Sequence, residues 1–99
     1  MRLTPAQAQI TKQTVERVLG IEHRVWLFGS RADDTRRGGD IDLLIETEHT
    51  LPNRAETLCR LHGALTMALG DRKLDILLKD GRTQETPVIT IAKRTGVPL

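Results

Sequence analysis

The sequence predicts an α/β (α+β) fold, a small mixed β-sheet with helices packed against it in the order α-β-(α)-β-α-β-α. Two long segments repeat apolar residues at the spacing of an amphipathic helix, and three short apolar runs lie between turn residues, as buried strands do. The second long segment separates two of these runs and is long enough for the crossover that parallel strands require. With 99 residues, we expect one domain that covers residues 1–99.

The N-terminal part is predicted to form a helix over residues 5–19 and then a strand over Arg24–Phe28. Thr4-Pro5-Ala6-Gln7 has the pattern of a capping box with proline at the first helical position, and Gly20 is typical of a C-cap. The polar segment Arg31–Arg37 can add a short helix after the strand. The apolar stripe expected on the first helix consists of Ile10, Val15, Val18 and Leu19.

The central part is predicted to contain a strand over Ile41–Glu46, a helix over Arg54–Leu69 and a strand over Leu74–Leu78. Asn53 is a favourable N-cap for the helix. One face of that helix carries an apolar stripe of Leu58, Leu61, Leu65 and Leu69.

The tail allows two interpretations. Val88-Ile89-Thr90-Ile91 has the β-branched residues of a strand. Thr86-Pro87 is a helix start, however, and Gly96 with Pro98 is a helix stop. The start and stop signals favour a short helix over residues 87–95.

Composition excludes several classes of protein. No apolar run reaches the length of a membrane span, and no apolar signal region opens the chain. The single cysteine, Cys59, excludes an internal disulfide and fits a reducing compartment, so we expect a cytoplasmic protein. A net charge of +2 is too small to indicate nucleic-acid binding, and two aromatic residues are too few for a base-stacking platform.

Asp40 and Asp42 are the first candidates for chemistry. Residues two apart in a strand point to the same face, about 6.5 Å apart along the chain, whereas Ile41, Leu43 and Ile45 would point into the core. Two carboxylates on one face repel each other unless a cation lies between them. In the alternative, Asp40 caps the strand and Asp42 faces water, as in most Asp-x-Asp sequences.

The turn Gly29-Ser30 follows the first strand and could hold phosphates. Glycine lets backbone N–H groups approach a ligand, Ser30 adds a hydroxyl donor, and a helix from Arg31 would point its positive end at the same place. Alone, Gly-Ser after a strand is more often an ordinary turn. Followed after nine intervening residues by Asp40-Ile41-Asp42, it is a far more specific signal.

These motifs closely resemble the nucleotidyltransferase superfamily of DNA polymerase β, and within it the minimal nucleotidyltransferases. The resemblance covers residues 24–80 and implies transfer of a nucleoside monophosphate, AMP in the first place, from an NTP such as ATP to a hydroxyl group, with release of pyrophosphate. It implies two Mg²⁺ ions, or Mn²⁺, on Asp40 and Asp42. Gly29, Ser30 and Arg31 would hold the triphosphate, with Arg36 and Arg37 as further candidates.

The family also has a third carboxylate on a later strand, and the matching position is Asp75. It would bind the catalytic metal and help to deprotonate the acceptor. Geometry agrees. The site lies at the end of the first strand and at the start of the second and third strands, so the first and second strands should be antiparallel and the second and third parallel. Asp71 and Asp80 are rivals, but both are predicted to be surface residues in turns.

One departure from the family concerns the loop between the turn and the acids. Many relatives carry Gly-Ser-Asp-x-Asp and a loop one residue longer, whereas this chain has Gly38-Gly39 before Asp40. Two glycines could absorb the shorter loop.

The minimal nucleotidyltransferases that this chain resembles are paired with a HEPN protein, and the pair can act as antitoxin and toxin. We therefore expect a HEPN-domain partner that supplies the acceptor, with modification of that partner as the activity and a possible oligomer. The alternative is an antitoxin or regulatory subunit that works by contact alone. The predicted docking surface consists of the tail residues Val88, Ile89, Ile91 and Val97. In the alternative, the tail simply caps the sheet.

The remaining residues have structural predictions. Trp26 and Phe28 are predicted to pack, and Cys59 to be a core or boundary residue. The three histidines lack the spacing of metal ligands.

Overall fold

The computed structural model describes residues 3–29, 41–70 and 73–99. In these ranges the elements are α1 (Pro5–Leu19), β1 (Arg24–Phe28), β2 (Ile41–Glu46), α2 (Arg54–Leu69), β3 (Leu74–Lys79), α3 (Pro87–Thr95) and β4 (Val97–Pro98). The predicted mixed α/β fold is therefore confirmed, and the tail is a helix as favoured. The predicted short helix over Arg31–Arg37 lies outside the described residues.

The ends of the helices follow from local capping. The Thr4 hydroxyl accepts a hydrogen bond from the N–H of Gln7, while the Gln7 side chain accepts one from the N–H of Thr4. Asn53 and Thr86 begin α2 and α3 in the same manner, each accepting from a backbone N–H three residues later. Gly20 ends α1 in the left-handed conformation, as predicted.

The described strands form one mixed sheet in the order β3-β2-β1-β4. β1 is antiparallel to both of its neighbours, and β3 is parallel to β2, with α2 as the crossover between them. Both predicted orientations are confirmed. β4 was not predicted, because it consists of only two residues, which pair with Trp26 and Leu27 and carry no periodic signal.

Helices cover both faces of the sheet. α1 and α2 pack on one face, over a core built from alternate residues of the strands: Val25, Leu27, Ile41, Leu43, Ile45, Leu74 and Leu78. α3 packs on the opposite face, where Ile89 and Ala92 bury Leu44 against Trp26, Phe28 and Leu77. The predicted packing roles of Trp26 and Phe28 are confirmed. None of the helices within the described residues is long and apolar enough to cross a membrane.

Three predictions about burial in the helices and the tail are wrong. Ile10 is exposed, and α1 instead buries Thr11 and Thr14 beside Val15; the Thr11 hydroxyl donates to the carbonyl of Gln7, which lets a polar side chain be buried. Cys59 is exposed, because it lies off the Leu61–Leu65 face of α2.

The third wrong prediction concerns the tail. Ile89 is buried in the core and cannot belong to a docking surface. Val97 is half-buried in β4. Of the predicted docking residues only Val88 and Ile91 are exposed, at 57% and 50%.

Candidate active site

Two carboxylates meet where β2 and β3 begin. Asp42 and Asp75 are direct partners in the parallel register of these strands. Partners on neighbouring strands point to the same face, with Cα atoms about 4.8 Å apart. Asp42 is half-buried and Asp75 is exposed. The structure thus brings together two of the three acids that the sequence analysis selected.

Strand alternation explains why both acids are on the face opposite α1 and α2. Ile41 and Leu74, one residue earlier in each strand, are buried beneath those helices. Two residues beyond the acids, Leu44 and Leu77 contact the core beneath α3. The acids therefore precede the part of the sheet that α3 covers.

The turn after β1 lies directly against the Asp42 carboxylate. Phe28 is the register partner of Asp42, and Gly29 follows it with φ +72°. A Cβ atom built on Gly29 would lie 2.3 Å from Oδ2 of Asp42, well inside any permitted contact. Only glycine accommodates both this backbone conformation and this approach. The end of β1 and the two acids therefore form one continuous site.

The other predicted site residues have different outcomes. Ser30, Arg31 and Asp40 lie outside the described residues, as do Arg36, Arg37 and the rival acid Asp71. Their places in the site stay predictions.

The second rival, Asp80, was predicted to be a surface residue, and this prediction is wrong. It lies at the opposite end of β3, where its side chain is 3% exposed. Its carboxylate accepts hydrogen bonds from the N–H groups of Leu51 and Arg82, both at 3.1 Å, and from the Thr83 hydroxyl at 2.9 Å. Burial by itself raises the pKa of Asp80, but these hydrogen bonds outweigh it and hold the pKa below its ordinary value. Asp80 organises the loops around it and is remote from Asp42.

The site residues fit a divalent cation that also binds substrate phosphates. Within residues 3–29, 41–70 and 73–99, no three His, Cys, Asp or Glu side chains are grouped to hold a metal. Mg²⁺, however, is commonly held by one or two carboxylates, with waters and phosphate oxygens as its other ligands. Asp42 and Asp75 supply two such carboxylates, and the exposed turn residue Gly29 lies directly beside Asp42.

Sequence reasoning missed the residues of α2 that lie beside Asp75. The ring of His62 is held against the start of β3, with Nε2 3.2 Å from the carbonyl oxygen of Leu74. Cys59, His62 and Gly63 together with Asp75 line one groove at this edge. The available signal was their spacing of three and four residues along α2, which puts them on one side of the helix.

Comparison with known families agrees with the geometry. The family model described as a nucleotidyltransferase domain matches residues 8–94, which include β1, β2, β3 and both described acids. No curated protein matches the chain. The chain therefore belongs to the nucleotidyltransferase domain family, whose general chemistry is the transfer of a nucleoside monophosphate.

Proposed function

We propose that the protein is a metal-dependent enzyme that transfers the nucleoside monophosphate of an NTP, AMP from ATP in the first place, to a hydroxyl group. The observation that carries the proposal is the register pair Asp42 and Asp75 with Gly29 packed against Asp42. Two carboxylates in register on one sheet face are an arrangement that can hold a divalent cation together with substrate phosphates. Membership of the family supplies the class of reaction.

Each residue of the proposed site has a defined task. Asp40 and Asp42 hold Mg²⁺ or Mn²⁺, and Gly29, Ser30 and Arg31 hold the triphosphate. When bound, the metal neutralises phosphate charge and fixes the orientation of the phosphates. Asp75 completes the metal site and accepts the proton of the attacking hydroxyl.

The proposed reaction is a direct displacement at the α-phosphorus. A bond forms between the acceptor oxygen and the α-phosphorus, while the bond from that phosphorus to the bridging oxygen of the β-phosphate breaks. The leaving pyrophosphate takes the electron pair, and the acceptor proton passes to the Asp75 carboxylate. The site thus needs no further reactant.

We further propose that the acceptor hydroxyl belongs to a HEPN-domain protein, with which this chain would form an antitoxin–toxin pair in the cytoplasm. The resemblance of the motifs to minimal nucleotidyltransferases supports this partner. Of the predicted docking residues, Val88 and Ile91 on α3 are exposed, and the partner would contact this apolar pair. A subunit that acts by contact alone would use the same surface without any turnover.

Nucleotide binding tests the catalytic proposal. We expect ATP with Mg²⁺ to raise the melting temperature of the wild-type chain, and Asp42→Asn to keep the fold but lose this rise. Glu48→Gln is the matched control, because it removes one negative charge from an exposed residue just beyond β2 and should keep the rise. A wild-type chain without a metal-dependent rise, or an Asp42→Asn chain that keeps it, contradicts the metal site.

Co-expression tests the partner. Size-exclusion chromatography of the chain with an adjacent HEPN protein should show a joint peak, and labelled ATP with Mg²⁺ should label a hydroxyl of that protein. Joint elution without labelling would favour the contact-only subunit. Separate elution without labelling would remove the HEPN partner from the proposal and leave an enzyme with another acceptor.

A further inference from the structure

One face of β2 connects the candidate active site with the far end of the sheet. Asp42, Leu44 and Glu46 are alternate residues of this strand, so their side chains point to the same face. Asp42 belongs to the candidate site, and Ile89 and Ala92 of α3 bury Leu44. The helix α3 therefore crosses β2 between the site and Glu46.

Lys93 anchors α3 to the sheet at Glu46. Its Nζ forms an ion pair with the Glu46 carboxylate and a second one, at 2.9 Å, with Glu85, and it lies 5.8 Å from the centre of the Trp26 ring. The side chains of Lys93 and Glu46 are only 28% and 14% exposed, so salt screens their pair less than a pair on the open surface. The hydrogen bond to Glu46 raises the pKa of Lys93, which keeps the ammonium group charged.

The apolar contacts beneath α3 are few. Among the described residues, the core cluster on this face has three buried members, Leu44, Ile89 and Ala92, whereas the cluster beneath α1 and α2 has eleven. Apolar burial is non-directional, so it holds α3 on the sheet without fixing the helix at one place. Charged hydrogen bonds are directional and strong, so the ion pairs of Lys93 add the constraint that the apolar contacts lack.

The C-terminal end of α3 lies against the end of β1. A Cβ atom on Gly96 would lie 3.0 Å from the carbonyl oxygen of Leu27 and 3.3 Å from Cβ of Phe28. After Gly96, β4 pairs with β1 on the side opposite to β2. Phe28 is the register partner of Asp42 on the β2 side. The end of β1 is therefore enclosed between Gly96 and Asp42.

We infer that Lys93 is a positioning residue for the active site. Its ion pair with Glu46 fixes α3 across the sheet. The end of α3 at Gly96 then keeps the end of β1 in place, with Gly29 against Asp42. The inference rests on the proposed function, because the contact between Gly29 and Asp42 is part of the proposed site. It gives an ion pair at the far end of the sheet a role in nucleotide binding.

Lys93→Met tests the anchor, because methionine keeps an apolar side chain beside Trp26 but lacks the ammonium group. Well below the melting temperature, we expect the folded variant to bind ATP with Mg²⁺ about fivefold more weakly or worse, in the range of coupling through packed elements. Lys93→Arg keeps the charge and should recover most of this affinity. The matched control is Arg94→Met, which removes the same charge from the exposed neighbouring residue and should bind as the wild type does.

Gly96→Ala tests the other end of the connection. Its methyl group would lie 2.4 Å from the carbonyl oxygen of Ala92 and would press on the end of β1, so α3 or β1 must move. Gly81→Ala is the matched control, because its methyl group would lie 2.4 Å from the carbonyl oxygen of Glu48, beyond the strand ends that are remote from the acids. Both variants should be less stable, but only Gly96→Ala should lose ATP affinity, by about fivefold or more.

A double variant distinguishes positioning from a general loss of stability. In Gly29→Ala the turn is already displaced from Asp42, so adding Lys93→Met should weaken ATP binding much less than it does in the wild-type chain. Amide hydrogen exchange tests the connection without nucleotide. Exchange in β1 should be faster in Lys93→Met than in Arg94→Met, because the end of the strand opens more readily.

The outcomes separate the inference from the proposed function. Weaker ATP binding in Lys93→Met, with recovery in Lys93→Arg, supports the positioning role. Wild-type affinity in Lys93→Met and Gly96→Ala, additive effects in the double variant or unchanged exchange in β1 overturns it and leaves the proposed function intact. If Lys93→Met does not fold, Glu46→Gln replaces it with the same expectations. Failure of the wild-type chain to bind ATP contradicts the proposed function itself.

Discussion

Gly29→Ala tests whether the turn after β1 and Asp42 act as one site. Two costs are expected from the structure. A non-glycine residue at φ +72° costs about 1–2 kcal/mol of backbone strain. In addition, the new methyl group would lie 2.3 Å from Asp42 Oδ2, so the carboxylate or the turn must move.

Gly20→Ala is a matched control, because it carries the first cost without the second. Gly20 has φ +64°, and nothing lies within 4 Å of a Cβ placed on it. We expect backbone strain to lower the free energy of unfolding of each variant by about 1–2 kcal/mol. The value for Gly29→Ala should fall further because of the clash with Asp42. A loss of 1 kcal/mol lowers the melting temperature of a domain of this size by roughly 4–8 °C.

Binding of ATP with Mg²⁺, measured by calorimetry, should distinguish the two variants. Gly20→Ala should bind as the wild type does, whereas Gly29→Ala should bind at least about tenfold more weakly, a change of ~1.4 kcal/mol. The double variant Gly29→Ala/Asp42→Ala should recover part of the stability lost through the clash, because the nearest remaining Asp42 atom is Cβ at 3.4 Å. Equal stability losses in the two single variants, equal nucleotide affinities and no coupling in the double variant would refute the continuous site.

The other predictions concern the two ends of β3. Asp75→Asn should bind ATP with Mg²⁺ within about tenfold of wild type but lose transfer by about two orders of magnitude or more, in the range of general-base catalysis; equal activity would exclude Asp75. Asp80→Ala should unfold more easily by about 1–3 kcal/mol at neutral pH, because the N–H groups of Leu51 and Arg82 lose a buried acceptor. The pKa of Asp80 is below its ordinary value of 3.8 in the folded chain, so its contribution is present above about pH 4 and is lost as the pH falls through the folded pKa. The free energy of unfolding, measured by urea titration, should therefore change less between about pH 7 and about pH 3 for Asp80→Ala than for wild type. An equal change in both chains would exclude this linkage.

Local signals were sufficient to predict the three described helices, the strands β1, β2 and β3 and their orientations, but not the two-residue β4. The capping box at Thr4 and the N-cap at Asn53 fix the starts of two helices through contacts that span only three residues. The positions of the acids at the strand starts predicted the parallel pair, since they had to share a site with the end of β1. These features depend on neighbouring residues or on the requirement that the acids and the end of β1 share one site.

Features that depend on distant contacts were not predictable from the sequence. Leu43, Leu44 and Ile45 are all fully buried, which requires helices on both faces of β2, and strand alternation in the sequence does not show which helix covers which face. Ile89 is buried because α3 is placed over Leu44. The contact between Gly29 and Asp42 likewise depends on the register of β1 against β2.

Asp75 and Asp80, at the two ends of β3, show how the surroundings of an aspartate determine its role. Asp80 follows the strand in a buried position, where two N–H groups and a hydroxyl donate hydrogen bonds to its oxygens and tie it to the loops around it. Asp75 opens the strand in an exposed position, beside a second carboxylate in register. A carboxylate of the first kind stabilises the fold and resists protonation, whereas one of the second kind can bind a cation and exchange a proton with a substrate. Under the proposed function, the two ends of the strand have separate roles, one in stability and one in chemistry, and variants at these ends should change unfolding and transfer independently.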